Sequence, residues 1–127
     1  MERNSIILDT NSIIRFLLDD VHEQYIIVSR KIKDNKCFTI LPVIQEAVYV
    51  FEMFYKIKRK NIKNKLLKLI DLVSIDDEDI LINALNYYDN KPKLDFVDCI
   101  LCAYKDNRNI GIFTFDKKLN NVLYKKQ

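Results

Sequence analysis

Glycine occurs once and proline twice in the 127 residues of this chain. A glycine phosphate loop and a glycine-rich dinucleotide turn each need several glycines, so both are excluded. Gly-rich linkers are absent for the same reason. Histidine also occurs once, as His22, and has no partner for a histidine-based metal site. The three cysteines, Cys37, Cys99 and Cys102, cannot all pair with one another. The opening MERNSIILDT lacks the basic start and apolar stretch of a signal peptide, so a reduced, cytoplasmic setting is expected. Cys99 and Cys102 form a C-x-x-C, but zinc would need Cys37 and His22 as well, from scattered segments; core packing is the expected role. No apolar run reaches the roughly 20 residues of a membrane span, so the expectation is a soluble chain with no membrane partner.

What is present has globular proportions. Hydrophobic residues make up 49% and charged residues 31%. The length predicts a single domain over 1–127 that buries roughly 68% of its unfolded surface. The net charge of +3 is compatible with a polyanionic partner without demonstrating one.

Periodicity gives the element order. Strands are expected at 5–8, 37–41, 72–75 and 110–115. Helices are expected over 10–18, 20–34, 43–57, 60–71, 76–90, 95–109 and 116–126, with a turn at 91–93. Pro42 suits a first helical position. Strands alternate with helices, and several crossovers hold two helices. The predicted class is α/β, a three-layer α/β/α sandwich around a parallel sheet of about four strands.

Acids recur where strands end. Asp9 follows the first strand, Glu46 lies in the first turn or so of the helix after the second, and Asp116 follows the fourth. Asp95 and Asp98 open the helix leading into that fourth strand. In an open parallel sheet the carboxyl ends of the strands share one edge, where ligands bind. Each acid also has a local explanation. Asp9 and Asp116 suit helix N-caps, Asp95 and Asp98 are spaced like a capping box, and Glu46 gains from the helix dipole. Capping does not explain why Glu46 and Asp98 lie within apolar helical faces, where an uncompensated charge is costly. A hard divalent cation compensates, and a carboxylate-only set favours Mg²⁺ or Mn²⁺.

The blocks IILDTNSIIRFLLDD, LPVIQEAVYVF, LDFVDCILCAYK and IFTFDKKL resemble, in order and spacing, the motifs of PIN-domain proteins, most closely VapC-type toxins of toxin–antitoxin pairs. The resemblance spans about residues 5–120. It implies a magnesium- or manganese-dependent endoribonuclease with Asp9, Glu46, Asp98 and Asp116 as catalytic metal ligands and Asp95 as cap or supporting ligand. Asn11 and Thr114 fall at supporting polar positions. The resemblance further implies a homodimer, a cognate antitoxin, and an RNA substrate, often tRNA. The basic stretch KIKRKNIKNKLLK, with Lys56, Lys58, Arg59 and Lys60 at its start, is a candidate RNA-contacting surface or simply a solvated face.

Metal-assisted attack of water on a phosphodiester would leave a 5′-phosphate and a 3′-hydroxyl, as the resemblance suggests. Three rival readings stand beside it. A dehalogenase-like phosphatase needs a second Asp where this chain has Asn11. A phospho-accepting receiver domain needs an acid pair at the first strand and single-helix crossovers. A catalytically inactive scaffold that binds RNA or a partner would show no metal-dependent stabilisation.

Overall fold

The computed structural model describes residues 5–124. They form an α/β chain, mostly helical, with an open parallel sheet of three strands. They divide into two compact units, the first ending at Asp77 and the second beginning at Glu78.

The first unit holds the sheet. Its elements run β1 (Ser5–Ile7), α1 (Thr10–Leu18), α2 (His22–Asp34), β2 (Lys36–Thr39), α3 (Leu41–Met53), α4 (Arg59–Ile70) and β3 (Ser74–Ile75). The strand order is β1-β2-β3, with Ile6 opposite Cys37 and Phe38 opposite Ser74. Each crossover carries two helices, as the long spacers predict. The ladder extends one bond past each outer strand, through Leu8 N–H to the Phe38 carbonyl (2.9 Å) and Asp76 N–H to the Thr39 carbonyl (3.0 Å). Thr39 is fully buried, and its hydroxyl donates to the Leu8 carbonyl at 3.0 Å, so the polar group is satisfied where β1 ends.

Helix boundaries follow local chemistry. Asp19 closes α1 in the left-handed region (φ 50), where a glycine is the usual residue. Arg15 then binds Asp20 through both carboxylate oxygens (2.7 and 2.6 Å), and the Tyr55 hydroxyl donates to Asp20 at 3.0 Å. This clamp holds the turn, so α2 starts at His22 instead of residue 20. Pro42 is the second helical residue of α3, one place later than expected, where its missing N–H still costs no intrahelical bond. The helix stops at Met53, well before residue 57. Phe54 and Tyr55 both bond back to the Val50 carbonyl, and Lys56 turns left-handed (φ 54).

The second unit contains α5 (Glu78–Asn90), α6 (Phe96–Arg108) and α7 (Lys117–Tyr124). Helices α5 and α6 run antiparallel. Tyr88 meets Phe96 edge-on at 5.5 Å at one end, and Asp79 pairs with Arg108 at the other. Between them lie Ile80, Leu81, Ala84 and Leu85 from α5 and Cys99, Cys102 and Ala103 from α6, all buried. The three cysteines form no disulfide and are buried, which agrees with core packing.

The strand expected at 110–115 does not form. Its apolar alternation is real, but side chains of α7 take its backbone groups. The Tyr124 hydroxyl accepts from Ile112 N–H (2.8 Å) and donates to the Ile112 carbonyl (3.0 Å). Asn120 donates to the Thr114 carbonyl at 3.0 Å. Phe113 and Phe115 are exposed and pack edge-on against each other at 5.1 Å. Among the described residues, no helix is long and apolar enough to cross a membrane.

Candidate functional site

In the first unit, β1 runs through buried Leu8 into Asp9, whose extended backbone (φ −85, ψ 178) makes it the N-cap of α1. Asp9 Oδ1 accepts from Ser12 N–H at 2.9 Å. Bonds from Ser12 hold this carboxyl below its ordinary value, against a smaller opposing effect of burial. The capping reading of Asp9 is therefore correct. The next residue carries a contact not foreseen from the sequence: the Thr10 hydroxyl donates to Glu46 Oε1 at 2.6 Å. A charge-assisted bond of that length joins the start of α1 to the second turn of α3 across 36 positions of sequence. The signal available was the T in the DTN run, read only as a helix start.

Glu46 departs from expectation in two ways. It is the sixth residue of α3, not a first-turn residue, and it is exposed, between exposed Gln45 and buried Ala47. The buried residues beside it in sequence, Ile44, Ala47 and Val48, turn away from its face of the helix, so its charge is not buried. Asn11 is exposed in the first turn of α1, and no hydrogen bond joins it to Asp9 or Glu46 among the described residues.

In the second unit, Asp95 is the N-cap of α6, and its Oδ1 accepts from Asp98 N–H at 2.9 Å. Asp98 Oδ2 accepts from Asp95 N–H at 3.4 Å, closing a capping box with Asp in the place of the usual Glu or Gln. Asp98 is half-buried, as its apolar surroundings in sequence predict. Burial pushes its carboxyl above the ordinary value, and the negative charges of Asp95 and then Asp116 add to the shift. Asp116 is exposed and caps α7, its Oδ1 accepting from Lys118 N–H (2.8 Å) and Leu119 N–H (3.3 Å). The Thr114 hydroxyl accepts from Asp116 N–H at 3.0 Å.

Asp9, Glu46, Asp95, Asp98 and Asp116 make no ion pair among the described residues. Nor do three His, Cys, Asp or Glu side chains stand together as one metal-holding group among those residues. The donor chemistry nonetheless fits a hard cation. These groups are all carboxylates, and in the second unit Asp98 lies in the field of two like charges with no protein cation to offset them. His22 is engaged elsewhere, its Nδ1 lying 2.9 Å from Asp19 Oδ1.

The basic candidates lie between α3 and α4 and in the first turn of α4. Lys56, Lys58 and Lys60 are exposed and Arg59 is half-buried. Lys58 is the N-cap of α4 without a side-chain capping bond, and α4 contains no acid. Cations at a helix N-terminus oppose the helix dipole, so local stability does not account for them.

A family model described as PIN domain matches residues 6–123, which runs through all five acids. No curated protein and no solved structure matches the chain.

Proposed function

The chain belongs to the PIN-domain family, and from that premise we propose that it is a Mg²⁺- or Mn²⁺-dependent endoribonuclease, the toxin of a toxin–antitoxin pair. PIN domains are typically metal-dependent nucleases and often toxins. The observation that carries the reading is Asp98, a half-buried carboxyl pushed up by its surroundings and by two neighbouring acids, with no cationic side chain paired to it.

Asp9, Glu46, Asp98 and Asp116, with Asp95 in support, would hold the cation. When bound, it supplies Lewis-acid activation of water and charge stabilisation at the phosphate. The chain's own residues do the positioning. Ser12 N–H fixes Asp9, the Thr10 hydroxyl orients Glu46, Asp95 N–H holds Asp98, and Thr114 holds the backbone of Asp116. Supporting residues of this kind set ligand orientation in metal sites. The basic run Lys56, Lys58, Arg59 and Lys60 supplies charge for the RNA backbone. The exposed side chains Tyr49, Met53 and Phe54 at the end of α3 support pairing with a second copy, and a cognate antitoxin partner belongs to the same reading.

One observation favours a second reading. Asp9, Asp95, Asp98 and Asp116 each have a local capping role, so an inactive scaffold would also retain them. Cleavage of a labelled RNA pool in Mg²⁺ or Mn²⁺ against EDTA separates the two. Wild type is expected to cut only with metal, and Asp98→Asn, which keeps an oxygen for the capping box, to lose at least about a hundredfold in rate. Folded wild-type protein that cuts under no metal would return the acids to capping alone.

A further inference from the structure

The end of α1, the start of α2 and one face of α4 enclose a cavity of about 390 Å³ within the first unit. Its size falls in the range of ligand pockets. Phe16, Leu17, Tyr25 and Leu72 line it together with Lys65 and Lys68. The aromatic residues form a column. Phe16 and Tyr25 are near-parallel at 5.8 Å and 8°, and His22 continues against Tyr25 at 5.8 Å and 16°. Lys65 and Lys68 are three positions apart on α4 and so share a face. Neither forms an ion pair among the described residues. The one acid on the wall, Asp19, is bonded to His22.

Stacked rings beside unpaired ammonium groups match the two chemistries of a single-stranded nucleotide, a flat base and a phosphate. The place of the cavity also suits that partner. Phe16 lies seven positions after Asp9, two helical turns along the same face of α1, or about 10 Å by the helical rise. From these observations we infer that the cavity is an RNA subsite, in which a base packs against the Phe16–Tyr25 rings while Lys65 and Lys68 hold the adjoining phosphates. The inference rests on the ribonuclease reading above. It adds a grip on the substrate that none of the five acids or the run at residues 56–60 supplies.

The chain contains no tryptophan, so Phe16→Trp places a single reporter in the cavity. The test uses the full chain in the Asp98→Asn background and a fluorescein-labelled single-stranded RNA 20-mer of mixed sequence. RNA should quench the reporter's emission at the concentrations that raise anisotropy. The pair Lys65→Gln and Lys68→Gln should weaken binding about tenfold and flatten the log–log salt slope by about 1.4, the value for two lost phosphate contacts on a single strand. Tyr25→Leu should weaken binding by a similar factor, with Tyr25→Phe restoring it. Unmoved emission and unchanged affinity, in a protein whose wild type still cleaves RNA, would overturn the subsite and leave the enzyme reading intact. Quenching by polyglutamate and not by RNA would overturn it in favour of an acidic polypeptide. A wild type that neither binds nor cuts RNA removes both readings.

Discussion

At the residue scale, glycine scarcity has a measurable consequence. Asp19, Lys56, Asp77 and Asn109 all adopt positive φ, and the only glycine, Gly111, does not. Asp and Asn tolerate that region because their short polar side chains bond locally, whereas lysine has no such compensation. Lys56→Gly is therefore expected to stabilise the fold by about 1 kcal/mol, measured by urea denaturation. If Lys56 also contacts RNA, the same substitution weakens binding while raising stability, which separates the two roles. Burial raises the Cys102 thiol to about 11, with the charges of Asp106 and Asp98 adding to the shift. That thiol stays protonated and unreactive at neutral pH, in keeping with a packing role.

At the element scale, the α5–α6 pair is latched at its polar end. Arg108 grips both oxygens of Asp79 (2.6 and 3.2 Å), and Asn107 donates to the Asp79 carboxylate at 3.1 Å. Asp79 sits in the first turn of α5 and Arg108 in the last turn of α6, so each also complements its helix dipole. The bonds from Arg108, then Asn107, hold the Asp79 carboxyl far below its ordinary value. A lowered carboxyl contributes stability above the unfolded carboxylate range and loses it as pH falls through the folded value. The stability gap between wild type and Arg108→Gln should therefore be present at pH 7 and shrink steadily below about pH 4, followed by denaturation at each pH.

The 110–115 segment belongs to the same scale. Its backbone depends on Tyr124, which bonds both polar groups of Ile112. Tyr124→Phe removes both bonds with little loss of packing and should cost about 1–2 kcal/mol in thermal or urea unfolding. A cost near zero would mean that water replaces the hydroxyl without penalty.

At the scale of the whole molecule, the test of the acids is thermodynamic as well as kinetic. A cation that binds only the folded chain raises its stability by about 2.7 kcal/mol at a hundred times the dissociation constant. Mn²⁺ is expected to raise the melting temperature of wild type, and EDTA to reverse the rise. Asp98→Asn and Asp116→Asn should each reduce the response. An equal rise in all three proteins would place the metal away from these acids.

By itself the sequence determined the helices, the parallel α/β class and the double-helix crossovers, and it placed Asp9, Asp95 and Asp116 at helix starts, with capping and metal binding both open there. All of these follow from periodicity and from residue preferences at helix ends, which act over a few positions. The order and spacing of the acidic blocks were likewise legible and agree with the family match over 6–123. Only the tertiary structure decided that Thr10 bonds Glu46, because that contact joins residues 36 positions apart with no pattern linking them. It also decided that Glu46 is exposed while Asp98 is half-buried, although both sit among apolar neighbours in sequence. Which way a helical face turns depends on what packs against it. The same physics turned IGIFTF from an expected strand into an irregular segment: alternation makes a strand possible, but the backbone partner decides, and here Tyr124 and Asn120 supply it.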